Sequence, residues 1–241
     1  MPITGTWQKV DSRAGHHHDS LVNATTDTAA GKGSAPIYQL KVVLIGSEPP
    51  IWRRLQVPGN AKLDWLHAAL QVALGWTNSH LHQYRAGKDI YAAPDDDFFV
   101  DPSGPKTHEE TAFTLQQIAP HENDTFIYEY DFGDSWEHQV TVEKILPSDA
   151  GLAKTAFCLD GARACPPEDC GGIWGYAELL KALKDRKHPE HKSMKEWLGG
   201  SHNAEAFDAE KTTRWLRKLK WPGVTEEQMR KILMGRDGYP E

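Results

Sequence analysis

The chain has 241 residues, 39% of them hydrophobic and 10% aromatic with nine Trp, enough for one large domain or a domain with appendages. No run approaches about 18 apolar residues, which excludes a transmembrane helix and with it a membrane partner, and the N-terminus lacks the apolar stretch of a secretory leader. The net charge of -7 hides a gradient: Lys211 to Arg236 carries eight basic residues against two acidic ones, while the middle of the chain is acidic. An acidic body argues against a generic nucleic-acid binder, and the basic end leaves a local DNA contact open. Only Cys158, Cys165 and Cys170 occur, an odd number packed too closely for a disulfide framework, so a reducing cytoplasm is expected.

In chain order, residues 1–36 are rich in Thr, Ala, Gly and Ser, include His16-His17-His18, and read as a disordered tail. Ile37 to Ile45 is rich in β-branched residues and predicts a strand, followed after Ser47-Glu48-Pro49-Pro50 by a second over Ile51 to Val57. Leu63, Leu66, Leu70, Ala73 and Leu74 recur at helical spacing, with Gly75 at the C′ position, so the opening unit is β-β-α. His80 to Arg85 alternates as a third strand, with His80, His82 and Tyr84 on one side; residues 92–110 read as an exposed acidic loop.

The strongest hairpin signal follows. Phe126, Tyr128, Tyr130 and Phe132 share one face of a strand, and Trp136, His138, Val140 and Val142 one face of its partner. A three-residue loop, Gly133-Asp134-Ser135, sets Phe132 against Trp136 and Tyr130 against His138, keeping His138 on the aromatic face and sending Glu129 and Asp131 to the other. The remainder reads as helical: a stripe of Tyr176, Leu179, Leu180 and Leu183, a shorter one of Met194, Trp197 and Leu198, and a helix capped by Asp208. A last helix opens with the capping box Thr225 and Gln228. The fold class is therefore α+β, an antiparallel sheet with a long central hairpin and helices mainly in the C-terminal half. One domain spans 37–219, and residues 220–241 form a basic appendage with one short helix.

Two groups of residues offer chemistry. Cys158, Cys165 and Cys170 lie in C-x6-C-x4-C spacing on a Gly/Pro-rich loop, and with His138, His188 or His191 as a fourth ligand could wrap a structural Zn ion. The plainer reading is a rigid loop with small buried thiols. Glu129, Asp131, Asp134 and His138 at the hairpin, with His80 and His82 beside it, combine carboxylates and imidazoles in a way that suits a divalent metal. Pro166-Pro167-Glu168-Asp169-Cys170-Gly171-Gly172 enters a helix; Glu168 and Asp169 disfavour a phosphate there, so its role reads as bringing the loop against the hairpin. Phosphate-loop, dinucleotide, nucleophile-elbow and zincin motifs are absent.

The segments Pro50-Ile51-Trp52-Arg53-Arg54, Gly75-Trp76, His80-Leu81-His82, Tyr130-Asp131-Phe132-Gly133-Asp134-Ser135-Trp136-Glu137-His138 and Cys165-Pro166-Pro167-Glu168-Asp169-Cys170-Gly171-Gly172 resemble the plasmid pRiA4b ORF-three-like family, in unbroken order over about Ile37 to Leu219. The resemblance implies a compact α+β domain, in some relatives joined to a DNA-binding module or labelled a resolvase, hence a link to plasmid or mobile-element DNA. A recombinase chemistry does not fit, because Ser135 sits beside Asp134 and Glu137, and Arg53 and Arg54 point to opposite faces. The expectation is a non-enzymatic binding or accessory module whose functional surface holds His80, His82, Asp131, Asp134, Trp136, His138, Glu168 and Asp169. The alternatives are a metal-dependent enzyme on a phosphate ester and a structural zinc domain.

Overall fold

The computed structural model describes residues 35–93 and 104–235. The expectation of a disordered N-terminal tail falls almost wholly outside them. The opening unit is as the periodicity predicts: β1 (Ile37–Leu44), β2 (Trp52–Pro58) and α1 (Leu63–Leu74), with Gly75 left-handed at φ 104 closing the helix. Then come β3 (His82–Ala86), β4 (Asp89–Ala92), β5 (Lys106–Glu109), a 3-10 turn (Glu110–Ala112) and the short α2 (Leu115–Ile118). The hairpin β6 (Thr125–Tyr130) and β7 (Trp136–Leu146) leads to β8 (Phe157–Ala162). Four helices finish the chain: α3 (Gly172–Lys184), α4 (His191–Trp197), α5 (Ala209–Leu216) and α6 (Glu226–Met234).

All eight strands form one sheet in the order β5-β4-β3-β6-β7-β1-β2-β8, antiparallel except for β4 and β5. The alternation in β1 and β2 decides which face is covered. Leu40, Val42 and Leu44, with Leu55 and Val57, are buried beneath α1, whereas Arg54 on the open face meets Glu143 at 2.6 Å. Arg53, one residue away, is buried, as the opposite-face reading requires. It donates to the carbonyls of Ala73 and Ala162, tying the end of α1 to the sheet edge.

The structure corrects three expectations. The hairpin pairs Tyr130 with Trp136, Tyr128 with His138 and Phe126 with Val140, so its loop has five residues rather than three. The slip is by two residues, which preserves the faces: His138 stays on the aromatic side, while Phe132 leaves the strand and is exposed. Residues 92–110 are not simply a loop, since β5 pairs with β4 and Glu110 is buried. The C-terminal segment is no appendage. Asp208 and the Thr225–Gln228 box cap α5 and α6 as expected, but Met229, Ile232 and Leu233 of α6 are core residues. Trp221 meets Trp65 of α1 edge-on at 5.1 Å, and the Trp65 indole donates to the Lys220 carbonyl. Charge marked the segment as separate, but its apolar stripe binds it to α1. Leu233→Ala should therefore lower the unfolding free energy by about 3 kcal/mol in urea denaturation, where a true appendage would register nearly nothing.

Candidate functional site

The hairpin tip and the loop before α3 are locked together. Asp131 and Ser135 take left-handed backbone at φ 60 and φ 52 and reverse the chain between them. Asp131 Oδ1 accepts from the N–H of Gly133 at 3.0 Å, and the Ser135 N–H donates to the Asp131 carbonyl at 2.6 Å. Asp134 Oδ2 accepts from the Gly171 N–H at 3.1 Å. Gly172, at φ +66, packs so close that a Cβ there would stand 2.6 Å from the Asp134 carbonyl oxygen. Only glycine fits both the conformation and the contact. The loop therefore packs on the hairpin, as its composition suggested.

Glu168 fastens the other side. Its carboxylate accepts from the Thr77 N–H at 2.7 Å, from the Thr77 hydroxyl, and from the Tyr130 hydroxyl at 3.0 Å. The Tyr130 oxygen in turn accepts from the N–H groups of Ser79 and His80. Burial first, then the Glu168 charge, holds the Tyr130 phenol well above its ordinary range, so it stays a donor.

The result is a convergence of His80, Asp131 and Asp169. His80 Nε2 lies 3.2 Å from Asp169 Oδ1 and 3.7 Å from Asp131 Oδ2. Alternation had placed His80 on a strand and Asp131 with Glu129, on the face away from His138. Instead β3 begins only at His82 and β6 ends at Tyr130, and the left-handed turn at Asp131 swings its carboxylate toward His80. Glu129 keeps to the open face, where Gln83, Arg85 and Ser135 surround it. Trp136 and His138, expected at a surface, are buried beside Trp76. Burial pulls His138 down to about 4, so it is a neutral core imidazole.

The residues read as a zinc shell do not come together. His138 is on β7 and Cys158 on β8, with β1 and β2 between them, a separation of roughly 14 Å at ~4.8 Å per strand. Cys158 donates to the Asp160 carbonyl, Cys165 receives the Arg53 guanidinium, and Cys170 lies in the loop before α3. Burial pushes the Cys158 thiol up to about 11 and that of Cys170 to about 12, so both stay protonated. His188 lies in the α3–α4 connection and His191 opens α4, its Nδ1 2.9 Å from the Ala182 carbonyl.

Beside His80 opens a cleft of about 570 Å³ whose lining includes Asp64, His67, Asn78, His82, Glu110 and Glu226. His67 of α1 stacks on His82 with ring centroids 3.5 Å apart, and His82 Nε2 lies 2.8 Å from Glu110 Oε2. The other His67 contacts, Tyr128 Oη at 2.8 Å and Asn78 Oδ1 at 2.6 Å, complete a buried polar chain. Burial lowers His67 to about 3 and His82 to about 4, and raises Glu110 to about 7. Sequence reasoning found His82 but missed its neighbours. Glu110 sat in a supposed loop, His67 on a helix read as core, and their partners lie far away in the chain.

These shifts have opposite signs in stability. A carboxyl raised from 4.5 to about 7 on folding contributes stability below pH 4.5 that is lost as pH rises toward 7. Histidines lowered on folding lose stability as pH falls below 6.5. Glu110→Gln removes only the first effect. The unfolding free energy of wild type minus that of the variant should thus fall by up to about 3 kcal/mol between pH 4.5 and 7, measured by urea denaturation across pH.

The family model described as "Plasmid pRiA4b ORF-3-like protein" matches residues 36–211. The uncharacterized protein y4hQ of Sinorhizobium fredii (strain NBRC 101917 / NGR234) is 38% identical over 167 residues, 69% of this chain and 83% of that protein. The crystal structure of MM3350 from Methanosarcina mazei Go1, titled a protein of unknown function, superposes with a TM-score of 0.64 at 37% identity, covering 75% of this chain and 98% of that one. Among the described residues no helix is long and apolar enough to cross a membrane. With the hairpin and the PPED-CGG loop both inside the matched region, the chain belongs to the plasmid pRiA4b ORF-3-like family.

Proposed function

We propose that the domain is a binding module and that the cleft between α1, the His80–His82 segment and α6 is its ligand site. One observation carries this reading: His67, His82 and Glu110, three ionisable side chains, line a 570 Å³ cleft while almost shut off from water. Burying such groups costs stability, and a fold that needed only packing would place apolar side chains there. Backbone strain points the same way. Asn78, which lines the cleft, and Asp131 and Asp169, which meet it through His80, are three of the six non-glycine residues at positive φ among those described, at a cost of roughly 1 kcal/mol each.

The lining selects the ligand's chemistry. Asp64 and Glu226 present carboxylates, and Asn78 and His67 present further polar atoms, with no Lys or Arg among the described residues of the lining. A bare phosphate is repelled, so the fitting ligand is small and cationic or rich in hydrogen-bond donors. A role on plasmid or mobile DNA would then use a different surface, the exposed basic residues Arg214, Lys220 and Arg230.

Thermal denaturation in the presence of spermidine, arginine and lysine amide tests the reading. At least one should raise the midpoint by several degrees, and Asp64→Asn and Glu110→Gln should abolish the rise. A midpoint unmoved by all three counts against the cleft as a cation-selective site.

A further inference from the structure

We propose that His80, Asp131 and Asp169 form a divalent-cation site where the hairpin tip meets the loop before α3. Among the described residues they are the one group of three or more His, Cys, Asp and Glu side chains whose ligand atoms all lie within 4.8 Å of one another. Each supplies one atom, and the three come from separate segments that share no secondary-structure element.

Two features set this group apart from a chance surface cluster. His80 Nε2 is inaccessible to water and makes no hydrogen bond, although it points between two carboxylates. The His80 side chain as a whole is 27% exposed, and the tautomer decides what this nitrogen needs: a proton there is met by the Asp169 and Asp131 carboxylates, whereas a lone pair there faces two anionic oxygens and is met by a cation. The Asp131 side chain is 9% exposed, and its two oxygens divide the work. Oδ1 is held by the N–H groups of Gly133 and Asp134, leaving Oδ2 to face the site. Backbone hydrogen bonds that fix one oxygen and free the other are the arrangement expected around a ligating carboxylate.

The competing account is an ion pair of a protonated His80 with the two aspartates. It predicts no cation affinity, so the two separate cleanly. One imidazole nitrogen with two carboxylate oxygens suits Mn2+ or Zn2+ better than Ca2+, which takes oxygen ligands alone. Three protein ligands leave coordination positions open. Because His80 also lines the 570 Å³ cleft, an ion held there would stand at the rim of the proposed ligand site. Its presence does not depend on that reading, since a cation can be bound whether or not the cleft takes an organic ligand.

Calorimetric titration of the full chain with MnCl2 and with ZnCl2 tests the site. His16, His17 and His18 are first changed to Ala, because three adjacent histidines bind metal by themselves. The expected result is one equimolar site for at least one of the two ions, weakened at least tenfold by Asp169→Asn and by His80→Ala and unaffected by Cys170→Ser. The Asp169 side chain is 69% exposed, so its variant should fold and keeps the test meaningful if His80→Ala does not. Absence of an equimolar site for both ions overturns the proposal, as does binding that survives Asp169→Asn or is lost with Cys170→Ser. The spermidine, arginine and lysine-amide result stands apart, so failure of one reading does not bring down the other.

Discussion

The candidate site depends on the contact between Gly172 and the Asp134 carbonyl. A backbone approach that leaves no room for a Cβ, reinforced by the Asp134 carboxylate on the Gly171 N–H, docks the loop before α3 onto the hairpin. That docking places Asp169 within 3.2 Å of His80 and lets Glu168 reach Thr77 and Tyr130. Remove it, and two carboxylates and two hydrogen-bonded anchors lose their positions together. The glycines are therefore part of the site although they carry no chemistry.

The surrounding structure explains why so tight a junction holds. Trp76 stacks on Tyr130 and lies tilted against Trp136, forming an aromatic floor under it, and the Trp76 indole donates to the Pro166 carbonyl at 3.0 Å. The sheet supplies rigidity, and the turns supply direction: Asp131 and Asp169 both use left-handed backbone to aim carboxylates that a regular strand or helix would send elsewhere. Strain of this kind is affordable only on a well-packed base. Behind it, the His67–His82–Glu110 chain keeps ionisable groups near-neutral by burial, so the cleft is polar without being strongly charged at its deepest point.

Legibility in the sequence followed the range of the interaction. Short-range patterns were readable: the β-β-α opening, Gly75 at the end of α1, the caps at Asp208 and Thr225, and the two faces of the hairpin all rest on neighbours within a few residues. The hairpin's register was missed by two residues because the buried pattern repeats every two, so pattern alone cannot distinguish rungs of the same parity. The turn residue Asp131, not the aromatic spacing, decides the loop length. α6 looked detachable because charge is visible locally and packing against α1 is not.

Sequence alone determined that this is an α+β domain of a recognisable family, with His80, Asp131, Glu168 and Asp169 among the residues to watch. Periodicity, turn chemistry and an ordered set of motifs are local properties of a chain, and they suffice for that. Tertiary structure alone decided which of those residues meet. It buried Trp136 and His138, put two strands between Cys158 and His138, and brought Glu110 against His82 and Asp169 against His80. Partners separated by tens of residues are chosen by strand order and loop docking, and neither leaves a trace in the spacing of the residues themselves.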